Sequence, residues 1–407
     1  MTGMGDTMAS SSFTIINAAA VLPDGILEDC LVRCADGRIA EIKAGAPSAM
    51  ADGCIVDGHG GLLVPGFIDL HTHGARGHLA SDSREELEAM SAALARYGVT
   101  GFLPSVCTLG DPGEDLLRMR ELSRAKSPGA AILGFLLEGH FLALTGAIPS
   151  LPGGQSLAQV RALIEACSPY KAVFAISPEV PGICNLIPAM AAPGVPVFLT
   201  HTAATWRQTE EAIAAGARHA THFYDVFPYP GDRETGVRGC GAVEAVMADR
   251  SVTVDFILDG EHVEPIAVKM ALQCKGPDKV CLITDANVNA GMPPGRYPSL
   301  GGYHVDVLHD GGPARIAEDG PIPGALSGSG LTMDRAVRNA MRLLGLDLAQ
   351  AVRMASANPA AVLGLSKSKG SILEGYDADL VMLDRELNVE LCWTGGVCRY
   401  DGRVARG

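Results

Sequence analysis

Apolar positions follow two rhythms along this chain. From residue 13 to residue 61 they form short runs broken by turn residues. Phe13-Thr-Ile-Ile is followed by Pro23-Asp24-Gly25, Cys30-Leu-Val-Arg-Cys by Ala35-Asp36-Gly37-Arg38, and that turn leads into Ile39-Ala-Glu-Ile. This is strand-and-turn chemistry and predicts a small β domain. From residue 62 short apolar runs alternate with stretches of helical pattern, as expected of βα units on a parallel sheet. The runs are Phe67–His71, Thr100–Val106, Ile132–Glu138, Ala172–Ile176, Val195–His201, His219–Phe223, Val252–Leu258 and Val280–Asp285. Helix-like stretches between them include Ser83–Tyr97, Ser156–Cys167, Thr205–Ala215 and Val263–Gln273, with Thr332–Leu344 and Leu348–Ala355 at the end. Eight strands alternating with helices is the count for a closed (β/α)8 barrel. After that, β chemistry returns in 370–384, in Glu390-Leu-Cys-Trp and around Tyr400-Asp401-Gly402. The prediction is an α/β fold: a TIM-type barrel over 62–361 and a small β-sandwich domain built from both chain ends, 12–61 and 362–407. Residues 1–11 are small and polar and read as a disordered tail.

Composition narrows the function. With 407 residues, 47% of them hydrophobic, the chain carries enough apolar surface for a large core. A net charge of −14 argues against a nucleic-acid partner. No apolar run reaches the length of a membrane span, and the N-terminal residues lack a basic start and an apolar signal core. The eleven cysteines include no Cys-x-x-Cys pair and sit mostly in apolar runs, as reduced core residues of a cytoplasmic protein would.

Candidate chemistry lies at the ends of the predicted strands, where barrel enzymes carry their catalytic groups. The run ending Pro65-Gly-Phe-Ile-Asp-Leu delivers His71 and His73, whose i, i+2 spacing on a strand puts both imidazoles on one face. The third run ends in Glu138, the fifth in His201 and the eighth in Asp285, and the sixth carries His222. Taken singly, each has a plainer role, a hydrogen-bonded core histidine or a helix N-cap. Together, four imidazoles and two carboxylates in one barrel mouth are costly without a cation to organise them. One or two divalent ions, zinc by donor type, would polarise a carbonyl and acidify water. Asp285 then stands as the proton carrier between water and a leaving amine, which makes the expected reaction hydrolysis of an amide or related C–N bond.

These features resemble the amidohydrolase superfamily and, over nearly the full chain, the N-acetylglucosamine-6-phosphate deacetylases. The matching pieces are Pro65–Gly74, Leu137-Glu-Gly, Ser177-Pro-Glu179, residues 201–205, Ala220-Thr-His-Phe-Tyr, Asp259-Gly-x-His262, Thr284-Asp-Ala and Leu326-Ser-Gly-Ser. The resemblance implies that Glu138 stands where other superfamily members carry a carboxylated lysine. It implies one metal on Glu138, His201 and His222, and a second on His71, His73 and Asp285. It makes His262 the residue that polarises or holds the sugar amide. It places the phosphate-binding arginine eleven residues past His222, on Arg233, which would act across the interface of a homodimer. The implied substrate is N-acetylglucosamine 6-phosphate.

The substrate side departs from the family pattern. Tyr-Asn-Ala-Met becomes Tyr224-Asp225-Val226-Phe227, the proline after Glu-Gly becomes His140, and Gly-Ala-His becomes Gly146-Ala147-Ile148. Asp225, Val226, His140 and Ile148 are therefore candidate substrate contacts. A carboxylate near an expected phosphate is repulsive, which keeps a galactosamine-type, unphosphorylated or otherwise acylated amine in view.

Overall fold

The structure is a computed structural model that describes residues 12–45, 54–108, 110–147, 155–231, 235–299 and 301–405. The expectations for the 1–11 tail, Ile148 and Arg233 lie outside these residues.

Eight parallel strands pair in sequential order: β1 (Phe67–Thr72), β2 (Val99–Cys107), β3 (Phe135–Phe141), β4 (Ala172–Ile176), β5 (Val197–Leu199), β6 (Ala217–Ala220), β7 (Thr253–Ile257) and β8 (Val280–Ile283). β1 and β2 are buried at every position. Helices cover one face and the barrel core the other, so such strands read as continuous apolar runs. The ring closes at its C-terminal end. Asp285 N–H donates to the His71 carbonyl at 2.8 Å and His73 N–H to the Ala286 carbonyl at 2.9 Å. The buried Asp69 carboxylate in β1 accepts from Thr284 Oγ1 at 2.6 Å, tying β1 to the end of β8.

Helix starts were legible. Ser83, Ser156 and Thr205 cap the helices Arg84–Leu94, Leu157–Cys167 and Trp206–Ala215 by accepting from the backbone N–H of Glu86, Gln159 and Gln208. Among the described residues the helices Pro112–Leu122, Ile183–Ala191, Ala242–Ala248, Ala357–Val362 and Gly402–Ala405 had no named counterpart. The second carries Pro188 and starts after Gly182 with no side-chain cap, so it lacks the usual start signal. An antiparallel meander, Gly295–Pro298, His304–Val307 and Arg315–Ile316, also went unread. It packs Tyr303, Val305 and Ile316 against Leu79 and Val288 beside the barrel mouth.

Both chain ends build one seven-stranded sheet, in the order 397–401, 389–394, 380–383, 54–65, 12–22, 25–35, 38–44. The sheet curls on itself. Phe13 and Trp393 lie on strands three places apart, yet their rings stack with centroids 5.5 Å apart. Ile39 N–H reaches the Tyr376 carbonyl at 2.8 Å. The two layers enclose a core that includes Phe13, Val32, Leu63, Met382 and Trp393. Gly66 carries the chain from this sheet into β1. A Cβ there would stand 2.1 Å from Thr100 Oγ1, so only glycine allows the approach. Among the described residues no helix is long and apolar enough to cross a membrane.

Candidate active site

Glu138 is the centre of the site. The carboxylate is buried and its two oxygens face two different pairs of imidazoles. Oε2 lies 3.1 Å from His71 Nε2 and 3.2 Å from His73 Nε2. Oε1 lies 3.2 Å from His201 Nε2 and 3.3 Å from His222 Nε2. Asp285 Oδ1 joins the first group, 3.4 Å from His71 Nε2 and 3.2 Å from His73 Nε2. Donors about 2.0–2.1 Å from a tetrahedral ion stand ~3.3 Å from one another, so this spacing fits an ion on each side of Glu138. Asp285 Oδ1 is also buried without a hydrogen bond of its own, as a carboxylate awaiting a cation would be.

Electrostatics agree. Burial works against ionising Glu138, but the charge of His71 and hydrogen bonds from His201, His222 and His71 outweigh it and hold the carboxyl well below its usual range. Asp285 is likewise disfavoured by burial, yet His71, His73 and His222 bring it down to about 2. His222 is pushed up to about 9, burial being overcome by Glu138, whereas burial carries His201 down. Two carboxylates thus stay anionic and draw positive charge into the mouth. A divalent ion meets that demand in exchange for ring protons.

The strand ends aim these groups by unusual backbone. His201, His222 and Asp285 have φ of 47°, 33° and 43°, and Val226 has φ of 54°. The chain turns out of β5, β6 and β8 through the left-handed region, which is costly for residues with a Cβ and characteristic of functional sites. β5 and β6 therefore end earlier than the apolar runs suggest, at Leu199 and Ala220, with His201 and His222 in the turns beyond. An outer contact orients the His71 ring, whose Nδ1 meets Thr221 Oγ1 at 2.9 Å. The backbone N–H of His222 donates at 2.6 Å to Asp255, which is itself paired with the buried His219 at 2.7 Å, and this fixes the turn that carries His222. No helix begins after Asp285, which removes the N-cap role that an aspartate there allows.

A cavity of about 210 Å³ opens above the cluster, roomy enough for one sugar ring. His262, Asp225 and Val226 line it. His262 Nδ1 is held by Asp259 Oδ2 at 2.6 Å, and burial's downward pull on this imidazole is overcome by Asp259, so its affinity for a proton is raised. Burial lifts the Asp225 carboxyl to about 7 despite nearby His222 and His262. His140 is not brought to the cavity. It is fully buried, its Nε2 3.4 Å from Asp115 Oδ2 behind the β2–β3 ends. Gly139, at φ 115°, turns β3 so that His140, two residues after Glu138, faces away.

Sequence reasoning missed Asp69, Asp255 and His219, whose partners lie far away along the chain and leave no spacing signal. It also missed Cys107, Asn287, Tyr303 and Ser327 on the cavity wall. Leu326-Ser-Gly-Ser was a signal for Ser327; Tyr303 arrives on the unread meander.

Comparison with known proteins places this geometry. The amidohydrolase family model matches residues 62–398. The N-acetylgalactosamine-6-phosphate deacetylase of Escherichia coli O157:H7 is 35% identical over 379 residues, 92% of this chain and 95% of that one. The human N-acetylglucosamine-6-phosphate deacetylase is 33% identical over 359 residues, 85% of each chain. Among solved structures, the D267A mutant of the Mycobacterium smegmatis N-acetyl-D-glucosamine-6-phosphate deacetylase, in complex with N-acetyl-D-glucosamine-6-phosphate, is 32% identical. It superposes with a TM-score of 0.84, covering 96% of this chain and 100% of that one.

Proposed function

Since this chain belongs to the amidohydrolase family, we propose that it hydrolyses the N-acetyl amide of an amino-sugar 6-phosphate, first of all N-acetylglucosamine 6-phosphate, giving glucosamine 6-phosphate and acetate. The observation that carries this reading is Glu138 set between two imidazole pairs, with Asp285 and His262 facing the same sugar-sized cavity. A divalent ion, zinc by the imidazole and carboxylate donors, supplies a Lewis acid for the carbonyl and makes water more acidic. Glu138, His201 and His222 would hold one ion, and His71, His73 and Asp285 a second. Asp285 takes the proton of the attacking water and returns it to the leaving nitrogen, which departs as an amine only when protonated. His262, its Nδ1 tied to Asp259, presents its other nitrogen to the amide. The same reading takes the enzyme as a cytoplasmic homodimer in which Arg233 binds the phosphate. Its barrel domain is 62–361, and 12–61 with 362–407 form the small domain. Acetate release from N-acetylglucosamine 6-phosphate, N-acetylgalactosamine 6-phosphate and the two free sugars tests it. Release from the first at the highest kcat/KM supports the reading; no release from any of the four overturns it.

One observation favours a second reading, an unphosphorylated or otherwise acylated amine. Among the described residues the cavity lining holds no lysine or arginine, and Asp225 Oδ2 is buried there without a partner. Such an oxygen suits a hydroxyl or ammonium donor better than a phosphate. Asp225→Asn should then raise the preference for the phosphorylated sugar at least several-fold. An unchanged preference removes this reading.

A further inference from the structure

The geometry points to Cys107 as the positioning residue of His73, and through it as the group that sets how tightly an ion is held on the His71, His73 and Asp285 side of Glu138. This rests on the metal reading above. An imidazole ligand gives one nitrogen to the ion and needs an anchor on the other. His73 Nε2 is committed to the ion side, 3.2 Å from both Glu138 Oε2 and Asp285 Oδ1. Its Nδ1 meets the Cys107 thiol at 3.9 Å, and among the described contacts no other group anchors it. The paired His71 is anchored instead by the Thr221 hydroxyl at 2.9 Å.

Cys107 is placed firmly enough for the task. It is the last residue of β2 and is buried, with its thiol on the cavity wall. Its carbonyl accepts from the Arg118 guanidinium, which also donates to Asp115 Oδ1 at 3.0 Å, and Thr108 Oγ1 closes the same buried network on Asp115. A thiol is nonetheless a weak partner for an imidazole. His73 is therefore held more softly than His71, and its side chain is 17% exposed where that of His71 is fully covered. The thiol has no need to ligate: His71 Nε2, His73 Nε2, Glu138 Oε2 and Asp285 Oδ1 already provide four donors at 3.1–3.4 Å. The ion position that His73 serves should thus answer to residue 107, while the position at His201 and His222, whose Nδ1 atoms have no partner among the described residues, should not.

The test is zinc titration of metal-free full-length protein against a chromophoric chelator, for the wild type, Cys107→Ala and the bulkier Cys107→Val. The wild type should bind two ions in two steps. In both variants one of the two steps should fall by about 10- to 100-fold, the usual cost of removing an outer anchor, while the other holds. Thermal melting of the metal-free proteins checks the fold, and either variant suffices. Both steps unchanged would overturn the inference, as would equal weakening of both steps, which marks a general packing defect. A sulfur-to-cobalt charge-transfer band in the cobalt-loaded wild type, lost in Cys107→Ala, would make the thiol a ligand and also overturn it. A wild type that binds one ion only defeats the two-position reading itself, whereas two ions with unaltered variants defeat this inference alone.

Discussion

Replacing Asp285 by Asn removes its proton-carrying carboxylate and leaves its backbone contacts in place. The backbone is indifferent to the change. Asp285 N–H donates to the His71 carbonyl and its own carbonyl accepts from Ser329 N–H, both at 2.8 Å, and neither bond involves the side chain. Its φ of 43° suits Asn at least as well as Asp. What is lost is a carboxylate held at about 2 against an ordinary 3.8, burial opposing ionisation and His71 and His73 favouring it. In the metal-free protein that lowering corresponds to about 2 kcal/mol of stability. The folded-state value is depressed, so this stabilisation is fully present above pH ~4 and is lost as pH falls through about 2. At neutral pH the variant should therefore melt lower but remain folded. The chemical loss should be larger. Without a group to carry the proton to nitrogen, kcat should drop by roughly two to four orders of magnitude, about 3–5 kcal/mol in the barrier. The assay is acetate release under saturating substrate, with metal content measured on the same samples. The ion at Glu138, His201 and His222 should be retained. A variant turning over within a few-fold of wild type would refute the proton-transfer role, whatever its melting temperature.

Glu138→Ala removes both bridging oxygens and should leave neither ion bound, so elemental analysis showing wild-type metal content would refute the assignment. Gly66→Ala puts a methyl 2.1 Å from Thr100 Oγ1 and should cost about 1–3 kcal/mol by overpacking. Adding Thr100→Ala should recover part of that in chemical denaturation, and a double variant no more stable than Gly66→Ala would show that the clash lies elsewhere. Phe174→Ala, at a fully buried ring packed edge-on to Phe141 in the barrel core, should lower stability by about 3–5 kcal/mol; a loss below ~1 kcal/mol would contradict the packing.

The order of apolar runs by itself determined the barrel. All eight runs became strands, because a strand covered on both faces must be apolar throughout, and that pattern survives in one dimension. The ligand types were legible for a related reason. His71, His73, His201, His222 and Asp285 stand at or just past strand ends and Glu138 within the last four residues of β3, and the barrel gathers the C-terminal parts of its strands at one rim. Only the tertiary structure decided how they are shared. Nothing in the spacing says that Glu138 divides its two oxygens between two imidazole pairs, since that depends on the closure of β8 onto β1 and on left-handed turns at His201, His222 and Asp285. The same holds for His140. It follows Glu138 by two residues, so alternation would put both side chains on one face, but Gly139 breaks the pleat and sends the imidazole to Asp115. The anchors Asp69, Asp255 and Cys107 were invisible for a simpler reason. Their partners lie 215, 33 and 34 residues away in sequence, and only folding brings such pairs into hydrogen-bonding reach.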